Sequence, residues 1–149
     1  MINIEEQRAI LNKSGEDMLK LVHKQVQLAF EAFTSFDTDL AEEVILKEKR
    51  VNGLDIRIEK DADNFIALYS PVAIDLRFSL ALLKINYHLE RIGDQAYDIA
   101  KHTIDLNQKL VPELLERMQF KLMFETVESM FKDVITAYTD ENLKVARKV

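Results

Sequence analysis

Glu90 and Asp94 are carboxylates four residues apart, with Gly93 beside the second, in a stretch (Glu90-Arg91-Ile92-Gly93-Asp94) that otherwise reads as amphipathic helix. Residues four apart on a helix are neighbours, and like charges there repel by about 0.2–0.5 kcal/mol. An interior glycine costs about 1 kcal/mol against alanine. Two local rules are broken where no turn is needed, and such breaks mark functional positions. A hard cation between the carboxylates is the simplest relief. A second row precedes the first. Glu48, Asn52, Asp55 and Glu59 recur at spacings of four, three and four along one edge of an apolar stripe, with Gly53 among them. Oxygen donors of this kind favour Mg²⁺, Ca²⁺, Mn²⁺ or an iron cluster over zinc. The same residues also suit a solvated acidic helix face, and spacing alone leaves both readings open.

Long helices must carry these rows. Three glycines and two prolines among 149 residues are too few turn formers for an all-β or α/β chain. The first helix is predicted from about Ile4 to Phe33, with Met18, Leu21, Val22, Gln25, Leu28, Ala29 and Ala32 recurring at three and four. Asp37 or Thr38 caps a second helix reaching about Tyr69, whose stripe Val44, Val51, Ile58, Phe65 repeats every seven residues. Ser70 then suits an N-cap and Pro71 the first helical position of a third helix ending near Asp105. Asp75 and Arg77 fall in its first turn, where a cap role is favoured over a partner contact. After a connector from Leu106 to Val111, Pro112 opens a fourth helix to about Tyr138, and Thr139-Asp140 caps a fifth from Glu141. Short links between long helices predict an antiparallel up-down bundle.

With Ile92 placed toward the core, Glu90 and Asp94 fall about 160° away on the outer face of helix three at 100° per residue. Counted from Ser70-Pro71, Asn52 and Glu90 stand at nearly equal heights. Antiparallel packing therefore brings the two acidic rows side by side, with Gly53 and Gly93 leaving room at that level.

The totals exclude several classes. A net charge of -6 argues against nucleic acid as a partner. The absence of cysteine rules out disulfides, thiolate metal sites and cysteine nucleophiles. Met1 to Glu6 show no basic region followed by an apolar run, so no signal peptide is predicted, and no apolar stretch is long enough to span a membrane. No nucleophile with a base beside it and no glycine-rich phosphate loop occurs, so no catalysis is read.

An internal repeat emerges at an offset of 105. Met18 to Val44 lies on Met123 to Val149 without a gap, matching Met18 with Met123, Val22 with Val127, Ala32 with Ala137, Ala41 with Ala146 and Val44 with Val149. Residues 1-107 then form one three-helix unit and 112-149 the truncated start of a second, as in a piece of a longer protein.

Ser70-Pro71-Val72-Ala73-Ile74-Asp75-Leu76-Arg77, Leu89-Glu90-Arg91-Ile92-Gly93-Asp94-Gln95-Ala96 with Ile99-Ala100, and upstream Glu48-Lys49-Arg50-Val51-Asn52-Gly53-Leu54-Asp55 together resemble the PhoU family of phosphate-signalling regulators. The resemblance implies tandem three-helix bundles, each with an E/D-x-x-x-D motif holding metal at the surface. It implies Glu48, Asn52, Asp55, Glu90 and Asp94 as metal-site residues, and a divalent or ferric ion (iron, Mg, Mn or Zn) as cofactor. It further implies a cytoplasmic negative regulator that meets the phosphate ABC transporter ATPase subunit and a sensor histidine kinase. A homodimer is expected, with membrane contact only through partners. Where the family carries two bundles, this chain has one and part of another, so the second metal motif is missing.

Three other readings compete. A di-iron enzyme needs Glu-x-x-His pairs, but Lys20, Ile85 and Ile99 precede His23, His88 and His102 by three. A histidine phosphotransfer bundle would use His23 as an exposed phosphoacceptor. A metal-free helical scaffold or adaptor is the third. The wide apolar band of helix four, from Leu115 to Ile135, is expected to dock on the first bundle or on a second copy.

Overall fold

The computed structural model describes residues 3–149, and the reading of Met1 and Ile2 lies outside them. The expected all-α bundle is what forms. Helices α1 (Ile4–Ser35), α2 (Thr38–Tyr69) and α3 (Ala73–Asp105) each pack against the other two. At 1.5 Å per residue each is roughly 50 Å long. Helices α4 (Pro112–Arg117), α5 (Phe120–Thr139) and α6 (Leu143–Ala146) follow. α5 lies along α1, while α4 and α6 pack on α5. Among the described residues no helix is long and apolar enough to cross a membrane.

Local chemistry sets the ends. Asn3 and Glu6 form a reciprocal capping box at the start of α1, with bonds of 2.8 and 3.1 Å. Phe36, left-handed at φ 57°, closes α1, and Asp37 then accepts from Leu40 N–H at 2.9 Å to cap α2. The seven-residue stripe Val44, Val51, Ile58 and Phe65 is at most 2% exposed. It shares one core with Met18, Leu19 and Val22 of α1 and with Leu82, Leu89 and Ala96 of α3. A heptad repeat keeps such a seam turned toward its neighbours along the whole helix.

Three expectations are corrected. Ser70 does not cap α3. It ends α2 in the left-handed conformation (φ 45°), and α3 begins at Ala73 after Val72 without a side-chain cap. Asp75 instead pairs with Arg8 of α1 at 3.3 Å, tying the two helices. The long fourth helix is broken at Gln119, which is left-handed at φ 52°. The break lets Phe120 bury against Phe30 and Phe33, at ring distances of 5.1 and 4.9 Å. Burying one phenylalanine contributes about 1.5–3 kcal/mol, enough to offset about 1–2 kcal/mol for one left-handed residue. The last helix starts at Leu143 rather than Glu141, because Asn142, not Asp140, supplies the cap by accepting from Lys144 and Val145 N–H.

Candidate metal centre

The buried face of α3 is not centred on Ile92, which is 37% exposed. It runs through Leu82, Asn86, Leu89, Gly93, Ala96 and Ala100. At 100° per residue its centre lies about 80° from Ile92, on the Gly93 side. The outer-face placement holds for Asp94, which is exposed, and is corrected for Glu90, which is half-buried and turned toward the row that Glu48 begins. Gly93 makes the approach possible. A Cβ there would lie 3.1 Å from Val51 Cγ1, 3.2 Å from Gln25 Oε1 and 3.7 Å from Glu48 Oε2. Gly53 has no such role, since nothing lies within 4 Å of a Cβ added there.

Glu48 is 7% exposed, a buried carboxyl at a helix seam. Gln25, from α1, donates Nε2–H to Glu48 Oε2 at 2.6 Å, while Glu48 Oε1 has no hydrogen-bond partner. Burial pushes the Glu48 carboxyl above its ordinary value; the Gln25 bond opposes this, and Asp94 and Asp98 add to it. Burial also raises Glu90, reinforced by Asp94, Asp55 and Glu48. Asp55 is raised by burial and by Glu59 and Asp94, against a 2.6 Å bond from Asn86 Nδ2. The negative charge of Asp94 helps raise the carboxyls of both Glu48 and Glu90.

The structure thus brings together Glu48, Asp55, Glu90 and Asp94. Asn52 and Glu59 lie exposed on the same edge of α2. Three contributors escaped the sequence reading: Gln25, Asn86 and Asp98. The first two had a legible signal, an amide inside an apolar stripe, because a buried amide needs a partner.

The donor set is all oxygen, and Glu48 Oε1 is an orphaned buried acceptor beside a second carboxyl, which suits a hard cation. Among the described residues no three acidic or histidine groups close around one point. The carboxyls instead act on one another electrostatically, with Asp94 helping to raise Glu48, Asp55 and Glu90. The residues therefore fit an ion or cluster held on an open edge between α2 and α3, not one inside a cage.

His23 is not an exposed phosphoacceptor. Its side chain is 15% exposed, its Nε2 sits 2.8 Å from Glu128 Oε1, and its ring stacks on Phe131 at 4.9 Å. Gln27 Nε2 donates to the other Glu128 oxygen at 3.0 Å. These contacts fasten α5 to α1.

Residues 16–103 match the model of the PhoU domain. A phosphate-specific transport system accessory protein PhoU homologue of Aquifex aeolicus is 36% identical over 132 residues, covering 89% of this chain and 59% of that protein. Its counterpart in Caulobacter vibrioides is 35% identical over 141 residues, covering 95% and 61%. The crystal structure of the phosphate transport system regulatory protein PhoU from Streptococcus pneumoniae superposes with a TM-score of 0.85 at 27% identity, over 98% of this chain and 68% of that one. The chain spans about three fifths of the length of the curated relatives it matches. The matched span contains both acidic rows and the Gln25 that bonds to Glu48, and on this evidence the chain belongs to the PhoU family.

Proposed function

We propose that this chain regulates phosphate uptake and phosphate-starvation signalling by protein contact, not by catalysis. Relatives named as accessory or regulatory proteins of phosphate transport support this reading. The acidic edge of α2 and α3 binds a divalent or ferric ion and, so loaded, meets the ATPase subunit of a phosphate ABC transporter and a sensor kinase in the cytoplasm. The effect on each partner is the differential affinity for its two states. The observation that carries the metal reading is the buried Glu48 carboxyl, with one oxygen unpartnered and Asp94 against it.

The repeat belongs to the same proposal. Glu128 stands 105 residues after His23 and touches it. Phe120, the equivalent of Gly15, meets Phe33, and Tyr138, the equivalent of Phe33, meets Gly15. Reciprocal pairs of this kind are what a twofold relation between two units requires. Residues 112-149 are on this reading the beginning of a second unit, and the exposed Met123, equivalent to the buried Met18, faces where its other helices pack.

One observation favours a metal-free scaffold: among the described residues no three candidate ligands close around a point. Metal analysis separates the two readings. Chelator-stripped protein given Mn²⁺ is expected to retain it, and Asp94→Ala to lose it. Uptake unchanged in Asp94→Ala removes the metal from the proposal. Deleting the gene is expected to leave phosphate-starvation transcription on in phosphate-rich medium, and normal regulation there overturns the regulatory reading.

A further inference from the structure

We infer that Gln25 of α1 is the positioning residue of the acidic edge, holding the Glu48 carboxylate in the orientation in which it takes up a cation. The inference rests on the metal-binding reading above. Gln25 is 0% exposed, in a stripe whose other members, Met18, Val22, Ala29 and Ala32, are apolar and equally buried. Packing alone would select another apolar residue there, since a buried amide must be hydrogen-bonded to be tolerated. This amide is only half satisfied. Its Nε2 donates to Glu48 Oε2 at 2.6 Å, and its Oε1 has no partner.

The bond has one evident consequence. It ties one Glu48 oxygen and leaves the other, Oε1, unpartnered beside Asp94. A neutral donor suits this task. A lysine or arginine in its place would orient the carboxylate but cancel the charge that attracts the ion. Gly93 completes the arrangement, because a side chain there would press on Gln25 Oε1 from 3.2 Å. Groups that hold a ligand from behind typically govern affinity by about 10–100-fold.

The test uses the full chain, stripped with chelator and titrated with Mn²⁺ by calorimetry, with helicity followed by circular dichroism. Gln25→Met keeps the length and loses the donor. Gln25→Asn keeps the amide but falls one methylene short. Both are expected to stay helical and to bind Mn²⁺ about 10–100-fold more weakly. In a Glu48→Gln background, Gln25→Met should weaken the residual uptake no further, which a merely structural role would not produce. Folded variants with the affinity of the unsubstituted chain overturn the inference, as does an equal loss in both backgrounds. If Gln25→Met does not fold, Gln25→Asn decides by the same criteria. An unsubstituted chain that takes up no Mn²⁺ overturns the metal reading itself, and this inference with it.

Discussion

Alanine is expected to stabilise the chain at Gly53 but not at Gly93, and the difference measures how tightly α1, α2 and α3 meet at the acidic edge. Within a helix, glycine to alanine contributes about 0.5–1 kcal/mol by itself. At Gly53 nothing opposes it, since no atom lies within 4 Å of the new Cβ. At Gly93 the new methyl meets Val51 Cγ1 at 3.1 Å and Gln25 Oε1 at 3.2 Å. Neither neighbour has room to yield, because both are 0% exposed. Val51 is also held to one rotamer by its branched β-carbon, and Gln25 by its bond to Glu48. Overpacking of this kind costs about 1–3 kcal/mol. Gly93→Ala is therefore expected to be neutral to about 2 kcal/mol less stable, and Gly53→Ala about 0.5–1 kcal/mol more stable. For a chain of this size 1 kcal/mol moves Tm by roughly 2–4 °C, so a 2 kcal/mol gap is about 4–8 °C. Thermal melts of chelator-treated protein would read it directly. Equal gains in both variants would refute the close approach of helices at Gly93.

Glu48→Gln is expected to raise the Tm of metal-free protein at neutral pH. The Glu48 carboxyl is raised in the folded state from its ordinary 4.5, so the folded chain holds its proton more tightly than the unfolded chain. That contribution is fully present below 4.5 and is lost as pH rises through the folded value, so the advantage of glutamine should fade toward pH 4.5. A gain independent of pH would contradict the assignment. Glu128→Ala removes the partner of both His23 and Gln27, and bonds to a charged group contribute about 1.5–3 kcal/mol each. Amide exchange in residues 120–139 should then quicken by about tenfold or more while α2 and α3 stay protected; equal quickening everywhere would show that the seam does not open alone. Tyr138 has its hydroxyl pushed up to about 12 by burial and by Glu16. Absorbance titration should show a late phenolate step that Tyr138→Phe removes, and this contribution to stability should fall as pH climbs from 10 toward 12.

The helices were legible because their signals are redundant. The heptad Val44, Val51, Ile58, Phe65 fixes the buried face of α2 without ambiguity. The face of α3 was misjudged because its buried stripe contains Asn86 and Gly93, residues that a search for apolar spacing passes over in favour of Ile85 and Ile92. Heights counted from Ser70-Pro71 put the acidic rows at one level, whereas the rotation of α3 that turns Glu90 toward α2 depends on Asn86 and Gly93. Gln25 could be counted within the α1 stripe without its consequence being drawn. The break at Gln119 has no local signature, because it is imposed by aromatic packing against Phe30 and Phe33, residues 86–89 positions away.

A solvated acidic face and a cation site make different demands on Glu48. On a solvated face every carboxylate turns outward, where water and salt screen repulsion between neighbours. Glu59 fits that description. Glu48 does not: it is turned into the seam, is only 7% exposed, and lies against Asp94 with one oxygen unpartnered. Burying a charge beside a like charge is unfavourable unless something neutral or positive joins them. A proton held on Glu48 is one relief and a cation is the other. The two are separable, because a proton is supplied by acid alone, whereas a cation that takes its place must release it. Mn²⁺ added to unbuffered, chelator-free protein at a pH where Glu48 still holds its proton should acidify the solution if the ion displaces that proton. No acidification, together with no uptake, would leave protonation of Glu48 as the relief of the buried charge.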